Sequence, residues 1–328
     1  PAQSGPSPPR RSRTGRRPAA PSPAGAPPAP YRRAMTYSII ARDPDTGLMG
    51  VATQSQALAV GSSVPWAAAG HGVIATQSTG EPMYGDLGLD ALRAGLTVHE
   101  ALRALRSVDP HPERRQVGML DRDGDVAVYT GDACVGAAGH VVGEGCAALG
   151  NLVRGPRVWE AMVEAFERSR GWLPHRLMAA LEAAEAAGGD ERGRRSAAIL
   201  VVRATRSGRP WRDRVTDLRV DDDHDPLGRL RRLVDTNERY HETVAAFELA
   251  LDGRTGGALD RLPPPADGDD VDALLWRAIV LAAAGRTADA AALGRRMVER
   301  DARAAGIARR FAAAGLVDPA VVDVVLAG

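Results

Sequence analysis

Apolar and polar positions change period in blocks along this chain, and the blocks predict its elements. Thr36-Tyr-Ser-Ile-Ile-Ala41 reads as a strand. Asp43-Pro-Asp-Thr-Gly47 puts Pro and Gly where a tight reversal needs them, and residues 48–53 return as a second strand. Residues 64–69 and 72–77 read as two more, around Gly70-His-Gly72. Helical periodicity covers 86–94 and 97–107, the second opened by Thr97 with Glu100 three residues on, a capping box. Residues 116–120 and 125–130 form a hairpin across Asp121-Arg-Asp-Gly124. Strand text continues to Leu149. Two helices follow, near 155–169 and 173–187, and Gly188-Gly189 stops the second. Residues 196–203 then read as a strand with 215–220 as its partner. Sheets and helix pairs alternating in blocks predict stacked α+β layers rather than a βαβ parallel sheet.

Two breaks set the organisation. Residues 1–34 hold ten of the 23 prolines, seven arginines, no acid and one aromatic residue, Tyr31. Such a segment cannot bury enough apolar surface to offset its ordering entropy. It reads as a disordered leader, or as upstream sequence ahead of a start at Met35, in preference to a basic arm for nucleic acid or membrane. A chain opening on Pro is not expected to be an intact translation product. The second break follows Asp221-Asp-Asp-His-Asp225. Residues 35–222 are expected to form one domain and 226–328 a helical C-terminal extension. Within the extension, 226–250 reads as one amphipathic helix, 252–269 as a Pro/Gly/Asp-rich stretch, and 270–328 as Ala-rich helices. Residues 274–291 faintly resemble one helix pair of a tetratricopeptide repeat.

Composition then removes several classes of function. Hydrophobic residues make up 44% and charged residues 25%, so a core can form, but with 4% aromatics it must be filled by Ala, Val and Leu. The formal charge of +1 falls to −6 from Met35 onward, where 35 arginines face 41 acids; neither value points to nucleic acid. No run of about 18 apolar residues spans a membrane, and no apolar signal segment precedes residue 36. The expected address is the cytoplasm. All 42 basic residues are Arg, so no mechanism needing a lysine amine is available. Cys134 and Cys146 read as small buried hydrophobes.

The chemistry centres on Met35-Thr36. A start at Met35, with that methionine removed, leaves Thr36 with its hydroxyl and a free α-amine on one residue. A hydroxyl needs a base to become a nucleophile. An α-amine, with a reference pKa of about 7.7–8.0, supplies one near neutrality. Other patterns fail. No G-x-S-x-G elbow exists, and Gly143-Glu-Gly145 lacks the third glycine of a dinucleotide loop. Asp121 to Asp125 has its Gly too early for a calcium loop and reads as a hairpin turn. Asp221 to Asp225 reads as a linker ending in a helix cap at Asp225-Pro226. No Cys/His spacing fits zinc, and no metal or cofactor is expected.

A resemblance extends this reading. Thr36 to Ala41, Gly50-Val-Ala52 with Ser55, Ala59-Val-Gly61 and Val64-Pro-Trp-Ala67 are similar to a bacterial family. So are Ala75-Thr-Gln77, Tyr84-Gly85, Arg115-Gln-Val-Gly118, Ala138-Gly-His140, Gly150-Asn151, Gly189-Asp190, Arg192-Gly193 and Ser196-Ala197. This is the family catalogued as domain of unknown function 1028, matched over about residues 36–203. The resemblance implies a four-layer αββα sandwich of the N-terminal-nucleophile (Ntn) hydrolase type, as in proteasome subunits, with Thr36 as nucleophile. It supplies no substrate. The expectation is an amidohydrolase acting on a small amide or peptide-like substrate. Asn151 can donate to an oxyanion or simply turn the chain. Asp190 and Arg192 can orient the Thr36 amine or form a structural ion pair. Ser196 can relay a proton or serve the strand start. Ser55 joins the catalytic candidates, and Thr76 and Gln77 are the substrate-binding candidates. One departure matters: proteasome-like sites place a lysine near the nucleophile, and this chain has none. Either the amine works with other helpers, or an Arg supplies charge without titrating, or the site is dead. The alternative is a non-catalytic binding or scaffold protein. The resemblance also implies a peptidoglycan-binding role or a homodimer contact for residues 226–328.

Overall fold

The computed structural model describes residues 36–327. The leader expected at 1–34, and Met35, lie outside them. Strands β1 (Thr36–Asp43) and β2 (Leu48–Ser55) form the first hairpin. The Asp43 carboxylate accepts the Asp45 N–H and the Thr46 hydroxyl at 3.1 and 2.7 Å, and Gly47 takes φ +64°, which closes the turn. β3 (Pro65–Ala68) and β4 (Gly72–Ser78) follow, then helices α1 (Met83–Arg93) and α2 (Val98–Val108). Thr97 and Glu100 make the predicted capping box at the start of α2. β5 (Arg115–Asp121) and β6 (Val126–Thr130) reverse on Asp121, whose Oδ1 accepts the N–H groups of Asp123, Gly124 and Asp125. β7 (Ala137–Gly143), β8 (Cys146–Val153), α3 (Arg157–Arg168), α4 (Leu173–Ala186), β9 (Ser196–Arg203) and β10 (Arg214–Val220) complete this part.

The strands form two antiparallel sheets. One has the order β10-β9-β2-β1-β8-β7, the other β3-β4-β5-β6. Side-chain alternation sorts their faces. Tyr37, Ile39 and Ala41 of β1 pack with Met162, Phe166 and Leu177 of α3 and α4. Ile40 points the other way and meets Val73, Ala75 and Leu120 of the smaller sheet. Ile74, Val117 and Met119 face outward onto Tyr84, Leu89 and Leu105 of α1 and α2. Each sheet therefore carries a helix pair outside and faces the other sheet inside. The block order read from the sequence is the order of these packed pieces.

The rest is helical: α5 (Pro226–Leu251), α6 (Thr255–Arg261), α7 (Val271–Ala283), α8 (Thr287–Arg300), α9 (Ala304–Ala313) and α10 (Pro319–Leu326). Asp225 caps α5 through the Gly228 N–H, with Pro226 at the first position, as its residue types predict. Two expectations change. The stretch 252–269 contains α6, a short helix whose two glycines hid it. The boundary at 222–226 falls at the start of a helix that both parts share. Leu227, Leu230 and Val234 of α5 join the core of α3 and α4, while Ala246 and Phe247 join that of α7 to α10.

Candidate functional site around Thr36

Strand register builds the site. β1 lies inside its sheet, and its first residue, Thr36, stands opposite Ser55 on β2 and Asn151 on β8. Ser55 stands opposite Ser196 on β9. Directly opposed residues of antiparallel strands share a face, so four of the six catalytic candidates form one row, Asn151–Thr36–Ser55–Ser196. Alternation from Ile40 puts this row on the side of the smaller sheet. All four residues are buried.

The Thr36 hydroxyl donates to Ser55 Oγ at 3.2 Å, and the Ala57 N–H donates to the same oxygen at 3.0 Å. The Thr36 carbonyl receives two carboxamides, Gln77 Nε2 at 3.2 Å and Asn151 Nδ2 at 3.4 Å. Both amides also donate to Gln116 Oε1, at 2.8 and 2.9 Å. Gln116 Nε2 in turn reaches Thr130 Oγ1 and the carbonyls of Gly139 and Gly150. The Ser38 hydroxyl bonds Gln77 Oε1 at 2.6 Å and Thr53 Oγ1 at 2.8 Å. This buried network ties both sheets to the backbone of Thr36, and satisfied buried networks rigidify what they hold. Asn151 Oδ1 alone in it has no hydrogen-bond partner among the described residues.

The remaining candidates divide. The Asp190 carboxylate accepts the Gln56 N–H at 3.2 Å and the Arg192 N–H at 2.9 Å, and Arg192 Nη2 bonds it at 2.9 Å. The bridge Val153–Asp190 ties this pair to the end of β8. The pair thus sits one residue from Ser55 and two from Asn151 along their strands. The Ser196 hydroxyl donates to the Ala57 carbonyl at 2.6 Å and accepts the Val60 N–H at 3.0 Å. It pins the β2–β3 loop through these two backbone bonds. Thr76 is not brought to the row. It alternates with Gln77, faces α1, and donates to the Glu81 carbonyl at 3.2 Å.

Behind the row, the Tyr37 hydroxyl bonds Glu185 at 3.0 Å; burial, then the Glu185 charge, push its pKa well above the ordinary value. Strained backbone flanks the site. Ser78 follows Gln77 with φ +73° and Leu152 follows Asn151 with φ +47°, values that non-glycine residues hold only where the surroundings impose them. Ser38, Thr53, Gln116 and Thr130 escaped sequence reasoning. The available signal was polar residues on the inward parity of strands whose other inward positions are apolar. Cys146 is fully buried and its thiol is pushed up to about 12 by burial, as a small hydrophobe requires. Cys134 is only partly buried. Among the described residues, no group of three or more His, Cys, Asp or Glu can hold a metal, and no helix is long and apolar enough to cross a membrane.

A mixed α+β protein of two antiparallel sheets with a mostly helical C-terminal region is thus defined. Its sequence matches the model described as "Family of unknown function (DUF1028)" over residues 36–230, and the chain belongs to that family. It is also similar to the crystal structure of protein SPO2555 from Silicibacter pomeroyi, which carries the same family model. The identity is 33% and the TM-score 0.56, covering 62% of this chain and 88% of that one. Among curated proteins none matches the chain significantly.

Proposed function

We propose that this protein is an Ntn-type amidohydrolase and that its two sheets with their outer helix pairs are the four-layer αββα sandwich of that class. The observation carrying the proposal is the position of Thr36. It opens an interior strand, in register with Ser55 and Asn151, with its carbonyl held by two buried amides. Release of the Met35–Thr36 bond gives Thr36 the α-amine that serves as base. Thr36 Oγ then attacks a substrate amide carbonyl while its proton passes to the amine. The tetrahedral oxyanion takes an N–H from Asn151, whose 3.4 Å bond to the Thr36 carbonyl is the weaker of its two. Collapse breaks the C–N bond, and the leaving nitrogen takes the proton back from the ammonium. Water hydrolyses the threonyl ester by the same path in reverse. Asn151 Oδ1, the acceptor left over in the row, is available to the α-ammonium. The Asp190–Arg192 pair fixes the ends of β2 and β8 around it.

The test is a chain beginning at Thr36, screened against small amides and short peptides beside Thr36→Ala. The proposal expects hydrolysis in the first and at least about a 10³-fold loss in the variant; equal rates would sink it. One observation favours the alternative, a binding protein that keeps the fold without catalysis. Thr36 is fully buried, and in the chain as written its nitrogen is in a peptide bond. Intact mass of the protein from its native host separates the two: a chain retaining Met35 supports the binding reading.

A further inference from the structure

The helical extension holds charge that the Thr36 site does not use. Between α7, α8 and the Pro263-Pro264-Pro265 segment lies a cavity of about 380 Å³. Leu262, Leu281 and Leu293 give it an apolar wall, and Arg277, Arg286 and Arg296 a basic one. Helix geometry presents both walls: Leu293 and Arg296 are three apart on α8, and Arg277 and Leu281 four apart on α7.

Arg277 is 1% exposed. Its Nη1 donates to the Pro263 carbonyl, but Nε and Nη2 hydrogen-bond to nothing among the described residues. The nearest carboxylate, Asp269, has Oδ2 3.5 Å from Nη2 and is already engaged. Its Oδ1 accepts from Arg239 at 2.7 Å and its Oδ2 from the Ala266 N–H at 2.9 Å. Arg286 is paired with Asp289, the one acid among the described residues that line the cavity. The lining thus carries three guanidiniums against one carboxylate. Leaving buried charged N–H groups unbonded is costly. Nε and Nη2 form the side-on edge of the guanidinium, whose two parallel N–H bonds match the two oxygens of a carboxylate.

We propose that this cavity binds a small carboxylate carrying a short apolar chain. The carboxylate lies between Arg277 and Arg296, and to offer it the Nε/Nη2 edge Arg277, now 1% exposed, turns from Asp269 into the cavity. The chain runs along Leu262, Leu281 and Leu293. Inorganic phosphate fits less well, because it has no apolar part to cover the leucines and must shed a tighter hydration shell against them.

The test is calorimetric titration of the full chain with hexanoate, hexanamide, acetate and inorganic phosphate. Hexanoate is expected to bind at one site. Hexanamide, lacking the charge, and acetate, lacking the chain, are each expected to bind at least about tenfold more weakly. Arg277→Met should abolish binding. Arg296→Gln, at a half-buried position, should keep the native circular dichroism and weaken hexanoate by about tenfold. No hexanoate binding, equal binding of hexanamide, tighter binding of phosphate, or unchanged affinity in a folded Arg296→Gln would each overturn the proposal.

Discussion

Gln116 is the joint between the two sheets, and replacing it by methionine isolates what that joint contributes. The side chain keeps nearly its length and loses its polar end. Gln77 and Asn151 each lose their acceptor, Gln116 Oε1, at 2.8 and 2.9 Å, and each keeps one longer bond to the Thr36 carbonyl. Two N–H groups are then stranded in a fully buried place. At about 1–3 kcal/mol per unsatisfied buried donor, the cost is about 2–6 kcal/mol. The carbonyls of Gly139 and Gly150 also lose a donor, but each has a second lone pair and suffers less. Against a typical total of about 5–15 kcal/mol, this is a severe change. Native-state hydrogen exchange reads it locally and leaves the separate core of α7 to α10 out of the signal. The slowest amides of β1, β5 and β8 should lose about 2–6 kcal/mol of opening free energy, while those of α7 and α8 keep theirs. A change within about 0.5 kcal/mol in all three strands, the level of an ordinary surface substitution, would refute the network account.

Arg115 and Asp109 form a buried pair at 2.8 Å, so Arg115→Met should cost about 3–5 kcal/mol in unfolding free energy. Burial raises the Asp109 carboxyl, but the Arg115 guanidinium, the His111 N–H and the Tyr84 hydroxyl outweigh it and hold it below the ordinary carboxylate value. Its stabilisation is therefore complete above the unfolded value of about 3.9 and is lost as pH falls through the lower folded one. Asp109→Asn should flatten the acid limb of the stability profile between about pH 4 and 2, and an unchanged limb would refute this. A Cβ on Gly85 would overlap the Trp66 ring, so Gly85→Ala should displace that ring and cost about 1–3 kcal/mol, visible in thermal unfolding and Trp fluorescence. Ser196→Ala should destabilise by about 1–3 kcal/mol, since it frees the Ala57 carbonyl and the Val60 N–H, yet leave Thr36 reactivity within about twofold.

Much of the fold was legible because side-chain period and turn chemistry are local. The Asp43–Gly47 and Asp121–Gly124 reversals, the Thr97/Glu100 capping box and the Asp225-Pro226 helix start all follow from residues within four positions of one another. Period two also held the answer for Thr76, since a strand that turns Gln77 inward must turn Thr76 outward. Register was not legible. That Thr36 stands beside Ser55 and Asn151, and Ser55 beside Ser196, depends on pairings across 19, 115 and 141 positions, and local patterns carry no such information. Gln116 was invisible for a related reason. Glutamine at the start of an apolar strand ordinarily reaches solvent, and only the facing sheet makes it a buried joint. The glycines of α6 hid a helix whose stability comes from burying Ala258 against the neighbouring core rather than from propensity.

The central claim is that Thr36 is a nucleophile. The most direct measurement is treatment of a chain beginning at Thr36 with a β-lactone electrophile, followed by intact mass and peptide mapping. The account predicts one adduct, on Thr36 Oγ, absent from Thr36→Ala and from the chain that retains Met35. No adduct, or equal labelling of Thr36→Ala, would contradict it.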